Sequence, residues 1–528
     1  MNRIAIIAPY LKEEGGNKEF KSRENLGIAY LTAFLKSKGY VTDMINAHDK
    51  CWDNETVIKY IYDNEYDMIG VSCTSQRLYP DAKDLVIKLR EKYPKVHIVM
   101  GGIFPSMEFK NIINDLPQLD TIIVGEGEYP IFQLAEVVCN NGRGFDQVGG
   151  LVYRTNNGIV CNPAIKNRNL SDLPFPEREQ IDFGRYEEKF LRLLGGRGCY
   201  GSCAFCSTLK CYGETGKNTG KIYRDAKNVV DEMEKLIDEF NIYSFSFYDD
   251  IFFERSKRGR DWVEKFVDEV KKRALKIDFV VKMRVDDILE KEISLLKEIG
   301  LKTVFLGVES GVKRILEEMK KGATVQDNVE AVRVLRKYDV GVVYGYMGII
   351  PTMGYSELKE NFEFLINLGG YTERNLYNKL NLYTGCEYNE ILDKQGLLLR
   401  KKNFWERNNY KFKDPKVELF SKIVDKVKKQ LKPSKVLLNR IKLFYINNDQ
   451  LEKFTVYDEE NTNKWVKIIK IIFNTIDDGF INSPDDELPR TLISEINYLD
   501  TYINNIYLDI QKHLSVSSCN EMDAELEL

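Results

Sequence analysis

Short apolar runs alternate with amphipathic helical patterns over the first 145 residues. Runs rich in β-branched residues predict buried strands, and apolar positions that recur every three to four residues predict helices. This alternation is typical of an α/β protein with a doubly wound parallel sheet, which binds ligands at the carboxyl ends of its strands. The predicted strands are RIAIIAP (3–9), VTDMINA (41–47), DMIGVSC (67–73), HIVMGG (97–102) and TIIVGEGE (121–128), and the helices between them include 26–39 and 79–93.

The alternation is interrupted at residues 146–190, where a hairpin turning at 156–158 and the proline-rich SDLPFPER indicate a linker. A second series of βα units follows and predicts a partial six-stranded barrel, with its chemistry at the carboxyl ends of the strands. The six strands are expected at 191–196, 244–250, 278–285, 303–310, 340–350 and 378–384. We therefore expect a Rossmann-like domain (1–145), a linker with a small hairpin (146–190), a partial barrel (191–398) and a helical C-terminal domain (399–528).

Composition narrows the class of protein. The 528 residues include 77 basic and 81 acidic side chains, and no apolar run is long enough for an ordinary transmembrane helix. Ten cysteines are too few for a disulfide scaffold of this length, and the start has no signal-peptide pattern, so a cytoplasmic location and no membrane partner are expected. Residues 400–442 carry a net charge of +11 and residues 443–528 a net charge of −11. This opposition favours pairing within the chain over binding to nucleic acid or an acidic peptide.

The strongest chemical signal is the segment Cys199-Tyr-Gly-Ser-Cys203-Ala-Phe-Cys206, which directly follows a predicted strand. Thiolate ligands favour an iron–sulfur cluster or zinc. A closed structural zinc site needs four ligands, so the triplet alone leaves one metal position open. Cys211 could complete a zinc site, and that alternative stays open at this point.

This CxxxCxxC spacing, with the aromatic Phe205 before the last cysteine, resembles the radical S-adenosylmethionine (SAM) superfamily. The resemblance implies that the three cysteines hold a 4Fe-4S cluster, that SAM binds the fourth iron, and that reduction yields a 5′-deoxyadenosyl radical. It also implies that a cation and an acid hold the two charged groups of SAM, for which Arg284 and Glu309 are the candidates. Matching positions at the strand ends are Tyr248, Asp249 and Asp250 in YDDIF, Arg284 in KMRVDD, and Glu309 and Ser310 in GVESG.

The Asp249–Asp250 pair has a simpler alternative as a cap of the following helix. The resemblance also departs from the family pattern at IIPTMGYSE (349–357), which leaves the sixth-strand side of the substrate pocket open.

The N-terminal domain lacks a GxGxxG motif after its first strand, which disfavours a dinucleotide. It resembles instead the cobalamin-binding domain of cobalamin-dependent radical SAM enzymes, through LGIAYLTAFLKSKGY, IGVSCTS, GGIFPS and GEGEYP. The DxHxxG cobalt-ligand motif is absent and His48 lacks its context, so cobalt without a protein histidine is expected. The alternative is a domain without cobalamin that docks substrate or a partner. Candidate cobalamin-binding residues are Ser72, Thr74, Gly101, Gly102, Ser106, Gly125, Glu126 and Gly127.

The resemblance implies an enzyme that uses cobalamin to methylate a carbon or phosphorus centre of a peptide or small natural-product substrate. An electron donor such as flavodoxin or ferredoxin is expected as a partner. A rival is a peptide epimerase, cyclase or oxidase without methyl transfer, in which Cys386 donates a hydrogen atom; Cys386 can equally be a small buried residue. Tyr248 is the second catalytic candidate. A non-enzymatic iron–sulfur sensor is a further alternative.

Overall fold

The computed structural model describes residues 2–11, 24–62, 64–140, 142, 144–178, 190–211, 220–447 and 451–515. Within these ranges, no helix combines the length and the hydropathy that crossing a bilayer requires.

The N-terminal domain is built on a seven-stranded sheet with the order β2-β1-β3-β4-β5-β6-β7. Its first five strands pair in parallel, and the last two are antiparallel. The hairpin expected in the linker therefore extends this sheet. The strands are β1 (Arg3–Ala8), β2 (Val41–Asn46), β3 (Met68–Ser72), β4 (His97–Gly101), β5 (Thr121–Ile123), β6 (Leu151–Thr155) and β7 (Gly158–Cys161), and the helices are α1 (Leu26–Ser37), α2 (Asn54–Ile61), α3 (Tyr79–Lys92), α4 (Ile103–Asp115) and α5 (Glu128–Asn140).

Helices cover both faces of the central strands, so those strands are apolar throughout rather than alternating. Along β1, Ile4, Ile6 and Ala8 pack into one core, while Ala5 and Ile7 pack into another. The helices begin where a polar side chain accepts a backbone N–H group, as Asn25 does at the start of α1. Because β1 to β5 pair in parallel, their carboxyl ends lie at the same edge of the sheet.

The barrel domain contains a five-stranded parallel sheet with the order β14-β13-β12-β11-β8. Its apolar outer face packs on helices in one large core. The strands are β8 (Leu191–Leu193), β9 (Gly196–Arg197), β10 (Ile222–Tyr223), β11 (Ser244–Phe247), β12 (Asp278–Arg284), β13 (Leu301–Glu309) and β14 (Gly341–Tyr346), and the helices are α6 (Thr208–Cys211), α7 (Ala226–Phe240), α8 (Lys257–Lys272), α9 (Glu290–Glu298), α10 (Lys313–Glu318), α11 (Val325–Lys337), α12 (Tyr355–Leu368), α13 (Glu373–Tyr377) and α14 (Tyr388–Lys394).

The prediction of a sixth barrel strand at 378–384 is wrong in detail, because this segment touches the sheet only through an isolated parallel bridge between Ile349 and Lys379. The amide of Asn361 donates to the carbonyls of Met347 and Gly348, at 3.0 and 3.2 Å. At the bridge itself, the N–H of Ile349 donates to the Asn378 carbonyl at 2.9 Å and the N–H of Leu380 donates to the Ile349 carbonyl at 3.1 Å, so the segment pairs with the sheet at this one point.

The C-terminal region consists of helices that share the barrel's core. They are α15 (Pro415–Gln430), α16 (Lys432–Asn447), α17 (Leu451–Asp477) and α18 (Arg490–Ser515), preceded by the short antiparallel pair β15 (Leu398–Leu399) and β16 (Asn409–Tyr410). Lys435 of the basic segment pairs with Glu373 of the barrel at 2.8 Å, and Lys467 pairs with Glu495 at 2.5 Å. Lys435 is thus neutralised by the barrel and Lys467 by a residue of its own acidic segment, and neither pair joins the basic segment to the acidic one.

Buried ion pairs join the N-terminal domain to the barrel. Arg178 contacts Glu24, and it also lies 2.8 Å from Glu232 of α7. Arg224 pairs with the second oxygen of Glu232 at 2.6 Å, and all four side chains are almost fully buried. Each carboxylate therefore has a cationic partner, as buried charges require.

Candidate cofactor site between the two domains

A cavity of about 740 Å³ lies where the carboxyl ends of the two sheets face each other. Both domains line it. All eight residues predicted for cobalamin lie on its wall, namely Ser72, Thr74, Gly101, Gly102, Ser106, Gly125, Glu126 and Gly127. Tyr248 and Asp250 line it from the barrel, together with Thr208 and Cys211 that follow the cysteine triplet. The structure thus brings the two predicted cofactor regions to one space.

On the N-terminal side the wall is made of backbone and small side chains. Gly102 adopts a φ of 115°, and a Cβ there would lie 2.6 Å from the carbonyl oxygen of Cys73. Ser106 Oγ donates to the Gly102 carbonyl at 2.8 Å and accepts the N–H of Gly125 at 3.0 Å. The hydroxyl proton of Ser106 is therefore used inside the protein. Ser106 therefore holds the two glycine turns together and also lines the cavity, and its assignment to cobalamin stays a prediction.

Glu126 offers an acceptor to the cavity region. Its Oε2 accepts the N–H of Asn167 at 2.9 Å, while its buried Oε1 has no hydrogen-bond partner among the described residues. Burial raises the pKa of Glu126, and Arg197 at 3.6 Å opposes this effect. A buried oxygen without a partner is costly, so a donor from a bound group would stabilise it. The amide groups of a corrin ring are donors of this kind, and the residues present fit cobalamin.

The cysteine triplet forms a tight loop between β9 and α6. Gly198 has a φ of 86°, and a Cβ there would meet the Gly220 carbonyl at 2.9 Å. Cys199 Sγ accepts the N–H of Gly201 at 3.2 Å, and Cys203 Sγ accepts from Arg284 Nη1 at 3.3 Å. Cys206 Sγ lies 3.2 Å from Thr208 Oγ1. Each sulfur thus has a neighbouring donor group, which suits thiolates that hold a cluster.

Burial raises the pKa of the Cys199 thiol to about 12 and also raises that of Cys206. A bound metal centre would be needed to deprotonate such thiols at neutral pH. In the described ranges no three His, Cys, Asp or Glu side chains converge on a point where one ion could sit. A 4Fe-4S cluster takes one thiolate on each of three irons, which suits three cysteines in one loop, whereas a closed zinc site needs four ligands at one ion.

Arg284 is held beside the cysteine loop. Its Nε lies 2.9 Å from Asp286 Oδ1 and 3.2 Å from the Tyr200 hydroxyl, and a terminal nitrogen donates to the Lys321 carbonyl. Burial disfavours the charge, but Asp286 and Cys203 outweigh it and raise the pKa of Arg284. The guanidinium is therefore a fixed cation at Cys203.

Glu309, the last residue of β13, and Ser310, which follows it, have different environments. Glu309 has a φ of 63°, which is strained for a residue with a side chain, and its Oε1 pairs with Lys321 at 2.9 Å. Ser310 is fully buried, and its Oγ donates to Asn361 Oδ1 at 2.8 Å and accepts from Val312 N–H at 3.2 Å. Because its hydroxyl is hydrogen-bonded to buried protein groups, we reassign Ser310 from a cofactor ligand to a structural residue.

The adjacent residues Asp249 and Asp250 also have different environments. Asp249 is buried, its Oδ1 accepts the N–H of Gly195 at 2.8 Å, and its Oδ2 accepts from the buried amine of Lys221. This corrects the prediction that Asp249 binds a cofactor, because both of its oxygens are already engaged. Asp250 is exposed to the cavity, and its Oδ2 accepts the N–H of Gly198 at 3.1 Å, one residue before Cys199.

Phe205 and Cys386 lie in one apolar cluster below the cysteine loop. Cys386 is buried, and its Sγ accepts from the Asn389 amide at 3.2 Å. Neither residue lines the cavity as far as the chain is described. The position of Cys386 matches its interpretation as a small buried residue.

Sequence reasoning missed two cations near Tyr248. The Arg192 guanidinium lies 4.4 Å from the centre of the Tyr248 ring, and the Lys282 amine lies 4.3 Å from it. Each cation is a polar residue flanked by core residues in a barrel strand, which is a sequence signal for a side chain that faces the barrel interior. His48 also lines the cavity.

Two family models match the chain. The B12 binding domain model matches residues 23–135, and the Radical SAM superfamily model matches residues 193–365. An uncharacterized methyltransferase from Pyrococcus horikoshii is 26% identical over 64% of this chain and 72% of its own length. The anaerobic magnesium-protoporphyrin IX monomethyl ester cyclase of Rubrivivax gelatinosus is 29% identical over 60% of this chain, which spans only 57% of that protein.

Solved structures share the fold. The cobalamin-dependent SAM radical enzyme OxsB, with aqua-cobalamin bound, has a TM-score of 0.78 at 18% sequence identity. The match covers 99% of this chain and 82% of the OxsB chain. The radical SAM methyltransferase TsrM from Kitasatospora setae, solved with tryptophan substrate and a SAM analogue, has a TM-score of 0.62 at 18% identity. The match covers 76% of this chain and 79% of the TsrM chain.

These matches confirm the predicted fold class, and the two family models confirm the cofactor set of cobalamin, SAM and a 4Fe-4S cluster. The two models together match more than half of the 528 residues. The chain belongs to the radical SAM enzymes that carry a cobalamin-binding domain.

Proposed function

We propose that this protein is a cobalamin-dependent radical SAM methyltransferase that acts on a small molecule. The observation that carries the proposal is the shared cavity, in which the strand ends of the N-terminal domain face Ser207, Thr208 and Cys211, which directly follow the cysteine triplet of the barrel. When bound, the cofactors supply a methyl group and a hydrogen-abstracting radical. Methyl transfer is favoured over ring formation because methyltransferases recur among the relatives and structural neighbours.

The roles of the site residues follow from their contacts. Cys199, Cys203 and Cys206 hold the cluster, with Arg284 as a cation fixed at Cys203. Asp250 positions the loop through the N–H of Gly198. Glu309, which ends β13 and pairs with Lys321, is the acid for the ammonium of SAM.

On the N-terminal side, Gly101, Gly102, Gly125 and Gly127 would receive cobalamin, because these positions carry no side chain that would fill the space. Glu126 Oε1 would accept from the amides of the bound cobalamin. Phe205 packs beneath the cluster loop as a positioning residue. An electron donor such as flavodoxin or ferredoxin reduces the cluster.

Anaerobic reconstitution with iron and sulfide, with and without hydroxocobalamin, tests this proposal. The reconstituted protein is expected to retain cobalamin after desalting and to release both 5′-deoxyadenosine and S-adenosylhomocysteine from SAM under reduction. Release of 5′-deoxyadenosine alone, with cobalamin retained, would contradict methyl transfer. Loss of cobalamin on desalting would contradict its role as a cofactor.

A further inference from the structure

The interior face of the barrel carries an unusual row of side chains. On β12, Phe279, Val281 and Met283 pack into the helix-covered core, so the alternate residue Lys282 faces the interior. Lys282 is in register with Phe305 of β13, which is in turn in register with Val343 of β14. Phe305 and Val343 remain 44% and 48% exposed although each lies in the middle of its strand.

Two cations stand at one end of this row. The Lys282 amine and the Arg192 guanidinium approach the same Tyr248 ring at 4.3 and 4.4 Å. No described carboxylate forms an ion pair with the Lys282 amine, whereas Arg284 two residues later pairs with Asp286. The aromatic ring attracts each cation only weakly compared with a full negative charge. The two cations therefore leave a positive field beside an apolar wall.

Tyr248 and Arg192 also line the cofactor cavity, so this part of the barrel interior adjoins that cavity. A ligand bound there would lie next to the cluster loop. The charge and the exposed apolar surface together select a ligand with an anionic group and a flat apolar body.

We propose that the barrel interior at Lys282, Arg192, Phe305 and Val343 is the substrate subsite, and that the substrate is an apolar ring system bearing a phosphate or carboxylate. This inference rests on the proposed function for the identity of the bound molecule as substrate. Lys282 and Arg192 bind the anion, and Phe305 and Val343 contact the apolar body.

Isothermal titration calorimetry on the full chain, reconstituted with cluster and cobalamin, tests the subsite with 2-naphthyl phosphate and the uncharged 2-naphthol. The phosphate is expected to bind at least about tenfold more tightly. Lys282→Met should remove most of this difference while changing 2-naphthol affinity less than about twofold, because only the charge is lost. Phe305→Ala should weaken both probes because it removes the apolar wall.

Lys302→Met is the matched control, because Lys302 is exposed at the amino end of β13 and pairs with Asp278 at 3.3 Å. It should bind both probes like the native protein. Lys282→Arg should restore phosphate binding to within about threefold, and the native phosphate affinity should fall on raising the salt concentration. These two measurements test the charge even where Lys282→Met does not fold.

Equal binding of the two probes by the native protein, or unchanged phosphate affinity in a folded Lys282→Met variant, would overturn the subsite. The same preparations are assayed for 5′-deoxyadenosine and S-adenosylhomocysteine without added substrate. If neither product is released while phosphate binding still depends on Lys282, the proposed function is contradicted and the anion subsite is supported. Normal product release with no preference for phosphate contradicts the subsite alone.

Discussion

The two walls of the cavity are built by opposite means. Behind the barrel side of the cavity, charged side chains are held by other charges, as Asp249, the neighbour of the lining residue Asp250, is by Lys221, and as Arg284 beside Cys203 is by Asp286. On the N-terminal side, the wall depends on positions without side chains, of which Gly102 is the most constrained. The barrel wall should therefore be sensitive to the loss of a side-chain group, and the N-terminal wall to the addition of one.

The largest effect is expected from Cys203→Ala, which removes a cluster ligand and the acceptor of Arg284. Release of 5′-deoxyadenosine should fall by more than about a hundredfold, the loss that changes around a metal ligand can already cause. Iron content and cluster absorbance should fall with it, while cobalamin is retained. Cys161→Ala is the control, since Cys161 is exposed on β7 away from the cavity. Equal iron content in the two variants would contradict the assignment.

The next largest effect, a loss of unfolding free energy, is expected to differ between the adjacent residues Asp249 and Asp250. Asp249→Asn leaves the fully buried Lys221 amine without its counter-charge. The free energy of unfolding should fall by about 3–5 kcal/mol, the cost of breaking a buried pair. Asp250→Asn, at an exposed position, should change it by only about 0.5 kcal/mol. Urea unfolding of both variants measures the difference, and similar losses would refute the division of roles.

The fold was predictable where local patterns decide it. The apolar runs of β1 to β5 and the helical periodicity between them suffice to predict the N-terminal sheet. The segment 378–384 has the same strand-like pattern, yet it pairs with the sheet only at the bridge between Ile349 and Lys379. Whether such a segment forms a full strand depends on the neighbours against which it packs, and those neighbours leave no signal in the segment itself.

The candidate site shows the same limit. The cysteine spacing is a local motif, and the structure places all three cysteines in one loop. Asp249 and Asp250 are indistinguishable in sequence, because what separates them is Lys221, which lies 28 residues earlier. Lys282 and Arg192 were missed because their significance depends on which face of each strand meets Tyr248.

The N-terminal wall is tested by adding one methyl group. Gly102→Ala combines a positive φ, which costs about 1–2 kcal/mol, with a contact too close to the Cys73 carbonyl. The turn must move, so cobalamin affinity should fall about tenfold or more, measured by equilibrium dialysis with hydroxocobalamin. Gly39→Ala has the same backbone strain with nothing within 4 Å. It should lower stability without changing cobalamin affinity, and an equal loss of affinity would contradict a local effect.

A stability effect that depends on pH is expected from Asp287, a buried carboxyl of the barrel. Burial raises the pKa of Asp287 to about 7, and its Oδ2 has no hydrogen-bond partner among the described residues. The folded state therefore binds a proton more tightly than the unfolded state, whose aspartate pKa is about 3.9. The resulting stability is fully present below about pH 4 and is lost as the pH rises through about 7.

Asp287→Asn should remove this dependence. Between pH 4 and 7 the unfolding free energy of the native protein should fall relative to the variant by up to about 1.4 kcal/mol per pH unit. Asp268→Asn, at an exposed position on α8, serves as the control and should follow the native curve. Parallel curves for the native protein and Asp287→Asn would mean that Asp287 is charged in the folded state, and that this carboxyl too is held by the surrounding cations and donors. Asp287 would then resemble Asp249, whose buried charge is paired with that of Lys221.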